Sequence, residues 1–465
     1  MAASEPITDL DLTDSHRRHR ERRARHTIVA SLASRCVNYG ARLVIIPLSI
    51  RLLGADQYGL WLAVGSVVAW LGLSDLGLSS GLLNTVAGDL AEEAPGLTRQ
   101  HISTGIVSYA FLSLVVMALL IPASHWGGIE SLLGVTGNPS MTRDARLLVM
   151  ICAFFYAASF SAHGVNTICQ ALQEGYLGAY SQITGNVIGL VALAVLYWKG
   201  GTLIQFAVVM AVPPLLASAG LAVYLFWYEH PELRPRWRLW NRRSFRSLIG
   251  FGGPLFAVQV ANLAILYSSN LLIADRLGPK EVARYAVPYS LFVVAAGACS
   301  TLADPYLAAF VEASKRGDWN WVRQTAIRML MITVTLMATA NAFFLVAGRR
   351  AIRWWAGPDV VPSGSFLLAM SLFFLAMTWT NTTGVFLVGL GKVKTKAVLN
   401  VLVATIFVGG IWALLPSWGI MAVPIVGASA HLVDLILSLP LALKHIRDES
   451  ARQHADGGSG SFSQV

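Results

Sequence analysis

Apolar runs of about twenty residues, the length that crosses a bilayer as a helix, recur along this chain with short polar breaks between them. They predict twelve spans, over 28–53, 60–86, 102–122, 145–170, 179–198, 202–228, 247–274, 284–311, 323–347, 363–390, 397–415 and 418–443. The expected class is an all-α polytopic membrane protein, and an even number of spans puts both termini on one side. The polar ends, 1–26 with its run HRRHRERRARH and 445–465 ending GGSGSFSQV, read as disordered tails. A signal peptide would have a short apolar core and a small-residue cleavage site. The first apolar run is instead long and contains arginines, so no signal peptide is expected.

The pattern also repeats. Displaced by 224 positions, Leu53 falls on Leu277, Gly54 on Gly278, Trp61 on Tyr285, Asn38 on Asn262, Arg35 on Gln259 and Arg99 on Arg323. A repeat of six spans keeps its orientation. Two six-helix lobes, 27–228 and 247–444, are then related by a pseudo-two-fold axis along the membrane normal, with 229–246 as a basic linker. Parallel repeats of this kind occur in transporters, whose substrate site lies at the repeat interface.

Composition agrees: 55% of residues are hydrophobic and only 13% charged, against about a quarter charged in soluble domains. The four cysteines, Cys36, Cys152, Cys169 and Cys299, sit in apolar segments without C-x-x-C spacing and read as buried thiols. A net charge of +10 could signal nucleic acid, but the distribution of Lys and Arg explains it otherwise. Twenty-two lie on the N-terminal side of the expected spans and ten on the other, with Arg35, Arg42 and Arg328 inside helices. Positive residues collect in cytoplasmic loops, so both termini are expected in the cytoplasm and no nucleic-acid partner is expected.

Charges inside spans are the informative exceptions. Placing one at the centre of a spanning helix costs about 2.5–3.5 kcal/mol on insertion scales. Ser31, Arg35, Asn38 and Arg42 stand at spacings that share one helical face. Asp75 in the second span falls between the two arginines in height. Arginine's planar fork suits phosphate or carboxylate, so Arg35, Asn38 and Arg42 are candidate substrate contacts. The alternatives are that Arg35 snorkels to the inner headgroups and that Arg42 only pairs Asp75. In the repeat partner, Gln259, Asn262 and Asn270 share a face, with Gly252, Gly253 and Pro254 as an expected bend. These three side chains are candidates either for substrate or for helix–helix hydrogen bonding. Asp75 and Asp304 are candidates for ion coupling, by proton or sodium. His163, Asn166, Gln170 and Glu174 form a polar stripe better read as interhelical glue. His431 and Asp434, three apart, either share a proton or make a structural pair.

No GxxxxGK[ST], HExxH or metal-ligand cluster appears in the chain. No catalytic residue, metal or cofactor is expected, and the protein reads as a transporter and not an enzyme.

IRLLGADQYGLW followed by LGLSDLGLSSGLLNTVAGDLA resembles the start of the Wzx-type oligosaccharide flippases, in the polysaccharide-transporter branch of the MOP superfamily. FGGPLFAVQ leading to LLIADRLGPKEVARYAV resembles the start of their second half, and GLGKVKTKAVLNVLV a later loop and helix. The resemblance covers most of 28–443. It implies two lobes forming a V around a cationic cavity in the bacterial inner membrane. It also implies alternating-access transfer of undecaprenyl-pyrophosphate-linked oligosaccharide to the outer leaflet, for O-antigen, capsule or exopolysaccharide. Arg35 and Arg42 would fill the role of the family's intramembrane arginines. Membrane lipids and polysaccharide polymerase or assembly proteins are the expected partners. The competing readings are a cation-coupled multidrug exporter of the same superfamily and a membrane glycosyltransferase or polymerase.

Overall fold

The computed structural model describes residues 9–75, 77–124, 128–250 and 253–459. Its elements in order are α1 (Asp9–Trp70), a 3-10 turn (Leu71–Asp75), α2 (Leu78–Ala91), α3 (Pro95–Ser124), α4 (Gly128–Leu132), α5 (Pro139–Ala171), α6 (Gly175–Lys199) and α7 (Leu203–Tyr224). They continue with α8 (Arg242–Gly250), α9 (Gly253–Leu277), α10 (Pro279–Ala303), α11 (Tyr306–Arg316), α12 (Trp319–Ala356), α13 (Gly364–Gly389), α14 (Val393–Trp418) and α15 (Ala422–Ser459). No strand occurs among the described residues.

Nine stretches of these are long and apolar enough to cross a membrane. Val393–Leu441 covers nearly all of the last two expected spans, Val29–Asp75 covers the first and the start of the second, and α9 lies where the seventh was expected. The protein is thus an all-α, multi-pass membrane protein. Outward-pointing side chains such as Leu114, Leu119, Val346 and Trp354 would form an aggregation-prone surface in water and suit a lipid surround.

The repeat is visible in the backbone. Gly54 (φ 75, ψ 170) interrupts α1, and its displaced counterpart Gly278 (φ 89, ψ 168) separates α9 from α10. This region is open to glycine and strained for any residue with a Cβ, so the two LG steps break their helices alike.

The element bounds depart from the expected spans in places. The span predicted over 60–86 is not one helix: α1 stops at Trp70 and is followed by the 3-10 turn, and the helix restarts at Leu78 after a left-handed residue at Gly77 (φ 80, ψ 10). Glycines at 72 and 77 weaken the helix, and the Asp75 carboxylate caps the new start. The tails also contribute helix, which begins at Asp9 and ends at Ser459. Residues such as Arg, Glu and Ala have good helix propensity even without a core. The remaining ends, 1–8 and 460–465, lie outside the described residues. The bend expected at Gly252–Pro254 falls partly outside them as well, with α9 beginning at Gly253.

Two compact units divide the described residues. One comprises those of Met1–Leu48, Leu71–Trp126 and Arg146–Gly253; the other comprises those of Ser49–Trp70, Gly127–Ala145 and Pro254–Val465. The first is built on Leu78, Leu82, Ile102, Tyr109, Phe160, Ile168 and Leu248. Here α2 and α8 meet so closely that a Cβ on Gly81 would lie 1.7 Å from the Leu248 carbonyl oxygen. The basic linker lies along α3. The Arg236 N–H donates to Ser103 Oγ (3.2 Å), the Asn241 N–H to Thr104 Oγ1 (3.3 Å) and Trp240 Nε1 to Ser108 Oγ (3.3 Å). The second unit packs Phe310, Val322, Met329 and Phe386 together, with a further aromatic group of Phe292, Phe344, Phe373 and Phe374.

Candidate functional site

In the first unit the site begins on α1. Ser34, Asn38 and Arg42 follow one another at helical spacing. Asn186 Nδ2 donates to Asn38 Oδ1 at 2.7 Å, and Ser34 Oγ donates to Gln182 Oε1 at 3.2 Å. Two polar rungs therefore tie α1 to α6, and the Asn38 amide oxygen serves as one of them. The guanidinium-bearing residues Arg35 and Arg42 are exposed. Arg42 makes no ion pair among the described residues, so the alternative in which it pairs Asp75 is not what the structure forms.

Asp75 sits at the break between the 3-10 turn and α2. Its carboxylate accepts the Ser79 N–H at 3.2 Å, Ser79 Oγ–H at 3.0 Å and Tyr109 O–H at 2.9 Å. Ser79 Oγ and the Tyr109 hydroxyl are themselves 2.7 Å apart. Three oxygens thus make three short contacts with two hydroxyl protons between them. Tyr109 is fully buried, its ring edge-on to Phe160 at 5.3 Å. Packing therefore fixes where its hydroxyl points. The Asp75 site is a helix break held by side chains, the kind of discontinuity at which transporters place substrates and ions.

The second unit holds the other candidates. Asn270 Nδ2 donates to Ser66 Oγ at 3.0 Å, which joins α9 to the part of α1 that follows Gly54. Gln259 is half-buried and Asn262 exposed on the same helix. Asp304 is exposed at the end of α10 and borders a cavity of about 230 Å³ lined also by Cys299, Ser300, Thr378, Asn381 and Thr382. His431 and Asp434 do not bond each other. The imidazole Nδ1 meets Thr380 Oγ1 at 2.8 Å, and Asp434 Oδ2 accepts from Lys396 Nζ at 3.0 Å. Lys396 was absent from the sequence-based candidates. It lies in the first turn of α14, in a basic stretch whose charge pattern pointed to the cytoplasmic face and gave no sign of a buried partner.

The stripe on α5 ends as glue. Glu174 is buried and its Oε2 lies 3.2 Å from His230 Nε2 of the linker. Glu232, on the other side of His230, is held below the ordinary carboxylate range, first by a backbone hydrogen bond and then by the imidazole. Among the described residues no group of His, Cys, Asp and Glu could hold a metal ion.

These features define a multi-pass membrane protein of the MOP-superfamily fold. The chain superposes on an inward-facing multidrug-resistance MATE transporter of that superfamily with a TM-score of 0.74, at 13% identity over 91% of this chain and 99% of that one. It superposes on the lipid II flippase MurJ in an inward closed conformation with a TM-score of 0.71, at 12% identity over 94% and 93%. By sequence it belongs to the polysaccharide biosynthesis protein family, which matches residues 25–310. Among its relatives, a Yersinia pseudotuberculosis protein named for O-antigen export is 22% identical over 79% of this chain and 84% of the relative. A Salmonella typhimurium LT2 protein named as an O-antigen transporter is 21% identical over 90% and 94%.

Proposed function

We propose that this protein flips undecaprenyl-pyrophosphate-linked oligosaccharide from the inner to the outer leaflet of the bacterial cytoplasmic membrane, for assembly of a surface polysaccharide. The observation that carries the reading is the pair of exposed arginines, Arg35 and Arg42, on a membrane-spanning helix of a polysaccharide biosynthesis family member. An intramembrane cation is costly, and a diphosphate is the chemistry that guanidinium forks match. No bond is made or broken. The chain shields the diphosphate and sugars while the polyprenyl tail stays in lipid. Access alternates between the two faces, with both termini on the cytoplasmic side.

Asp75 and Asp304 are the candidate coupling groups for a proton or sodium gradient. One charge moved through about 100 mV supplies about 2.3 kcal/mol. Asn38, Asn262, Asn270 and Gln259 would border the path or brace it. A multidrug exporter shares the fold, but its cationic substrates call for carboxylates where this chain presents arginines. Purified protein in proteoliposomes with lipid-linked sugar tests the reading. Arg42→Ala and Asp75→Ala should each slow flipping by tenfold or more, about 1.4 kcal/mol in barrier. Flipping at the normal rate in both variants would overturn it.

A further inference from the structure

The cavity beside Asp304 lies between two helices of the second unit that line it at matching intervals. On α10 the lining residues recur every three or four positions from Ala296 to Asp304, and on α13 they do so from Thr378 to Val385. The α10 side runs about 12 Å along the helix axis. Its side chains there are small, with Ala296, Ser300 and Ala303 among them, so packed helices still leave about 230 Å³ between them.

The inner wall is closed by hydrogen bonds, with one exception. Cys299 Sγ donates to the Thr333 carbonyl at 3.5 Å, and the Thr333 and Thr382 hydroxyls lie 3.1 Å apart. Thr378, by contrast, is 3% exposed, and its Oγ1 is buried with no hydrogen-bond partner among the described residues. A buried hydroxyl is costly unless something fills its bond. Asp304 and Asn381 are exposed and open the cavity to the outside.

The lining selects its occupant by chemistry. It holds no Lys, Arg or His, so a phosphate would meet no cation there and would be repelled by Asp304. Hydroxyls of Ser300 and Thr378 and the amide of Asn381 both donate and accept, and the Asp304 carboxylate accepts. Ala296, Ala303 and Val385 supply apolar wall beside them. A metal cation calls for several oxygens converging within about 2.5 Å of one point. Here the polar residues are spread over a full turn of each helix and include a single carboxylate. A pyranose ring fits the mixture: its hydroxyls donate and accept, and its C–H faces are apolar.

We propose that this cavity binds one neutral sugar ring of the transported oligosaccharide, with Thr378 and Asn381 as hydrogen-bonding partners and Asp304 as a hydroxyl acceptor. Naming a sugar as the occupant rests on the transport reading. The two ends of the substrate are then matched by different chemistry, arginines of the first unit for the diphosphate and an uncharged polar wall of the second for the sugar. Asp75 is left as the group available for coupling.

Saturation-transfer NMR on the purified full chain in lipid nanodiscs, without lipid-linked substrate, tests the site. The probes are the methyl glycosides of glucose, galactose, mannose and rhamnose, each titrated to a dissociation constant. At least one should bind. Thr378→Val, which keeps the side-chain shape, and Asn381→Ala, at an exposed position, should each weaken it about two- to tenfold, the loss of one hydrogen bond between neutral groups. The double variant should abolish it. Thr405→Val, exposed on α14, should leave it unchanged, as should replacing sodium with choline. No transfer to any of the four probes would overturn the proposal, and so would transfer unaltered in the double variant. Thermal stabilisation by sodium that is lost in Asp304→Asn, with no glycoside bound, would mark a cation site and overturn it too. Flipping of lipid-linked sugar in proteoliposomes without glycoside binding would remove the sugar site alone. Glycoside binding without flipping would count against the transport reading and leave the site standing.

Discussion

Removing one hydroxyl, by Tyr109→Phe, probes whether the break in the second span is held by the Asp75 network. The ring stays buried against Phe160 and its volume hardly changes, so no cavity opens. What is lost is a hydrogen bond to a carboxylate at 2.9 Å and a contact with Ser79 Oγ at 2.7 Å. A hydrogen bond to a charged group contributes about 1.5–3 kcal/mol. Ser79 keeps both its N–H and its Oγ on Asp75, which limits the loss to about 2 kcal/mol within that range. With Asp75→Asn in place the same deletion removes a bond between neutral groups and should cost about 0.5–1.5 kcal/mol. The coupling in a double-mutant cycle should then be about 1 kcal/mol. Equilibrium unfolding of the protein in mixed detergent micelles measures all four species. A cycle additive within about 0.5 kcal/mol, or a Tyr109→Phe variant as stable as wild type, would refute the idea that this hydroxyl anchors the break.

Three further outcomes follow from the geometry. Lys396→Met should destabilise the fold by about 3–5 kcal/mol by stranding a buried carboxylate, whereas Lys396→Met with Asp434→Leu should restore most of it, as read from the same unfolding measurement. Gly81→Val should abolish accumulation in membranes, because its Cβ would meet the Leu248 carbonyl, while Gly88→Ala, which meets nothing within 4 Å, should accumulate normally on immunoblots. Asn38→Ala should cost about 0.6 kcal/mol, the average of an interhelical polar contact, and change flipping less than Arg42→Ala does. A larger flipping defect in Asn38→Ala than in Arg42→Ala would make the amide, and not the arginine, the main substrate contact.

Much of the fold was legible because it depends on local properties of the chain. Apolar run length reports the spans, and the matched glycines at 54 and 278 report positions where the backbone enters a region closed to other residues. The break at 71–77 was less legible. Its apolar residues continue the span, and the cap that stabilises the restart depends on a tyrosine thirty-four positions beyond Asp75.

At the site, the sequence by itself determined that arginines and acids stand inside membrane spans, since composition and spacing are sufficient for that. Only the tertiary structure decided their partners. Asp75 bonds Ser79 and Tyr109 and not Arg42, Asn38 is taken by Asn186, and Asp434 is neutralised by a lysine from a neighbouring helix. The hydrophobic pattern sets which residues enter the membrane, but a buried polar group pairs with whatever donor the packing brings within about 3 Å, and helix packing is not written in any local stretch.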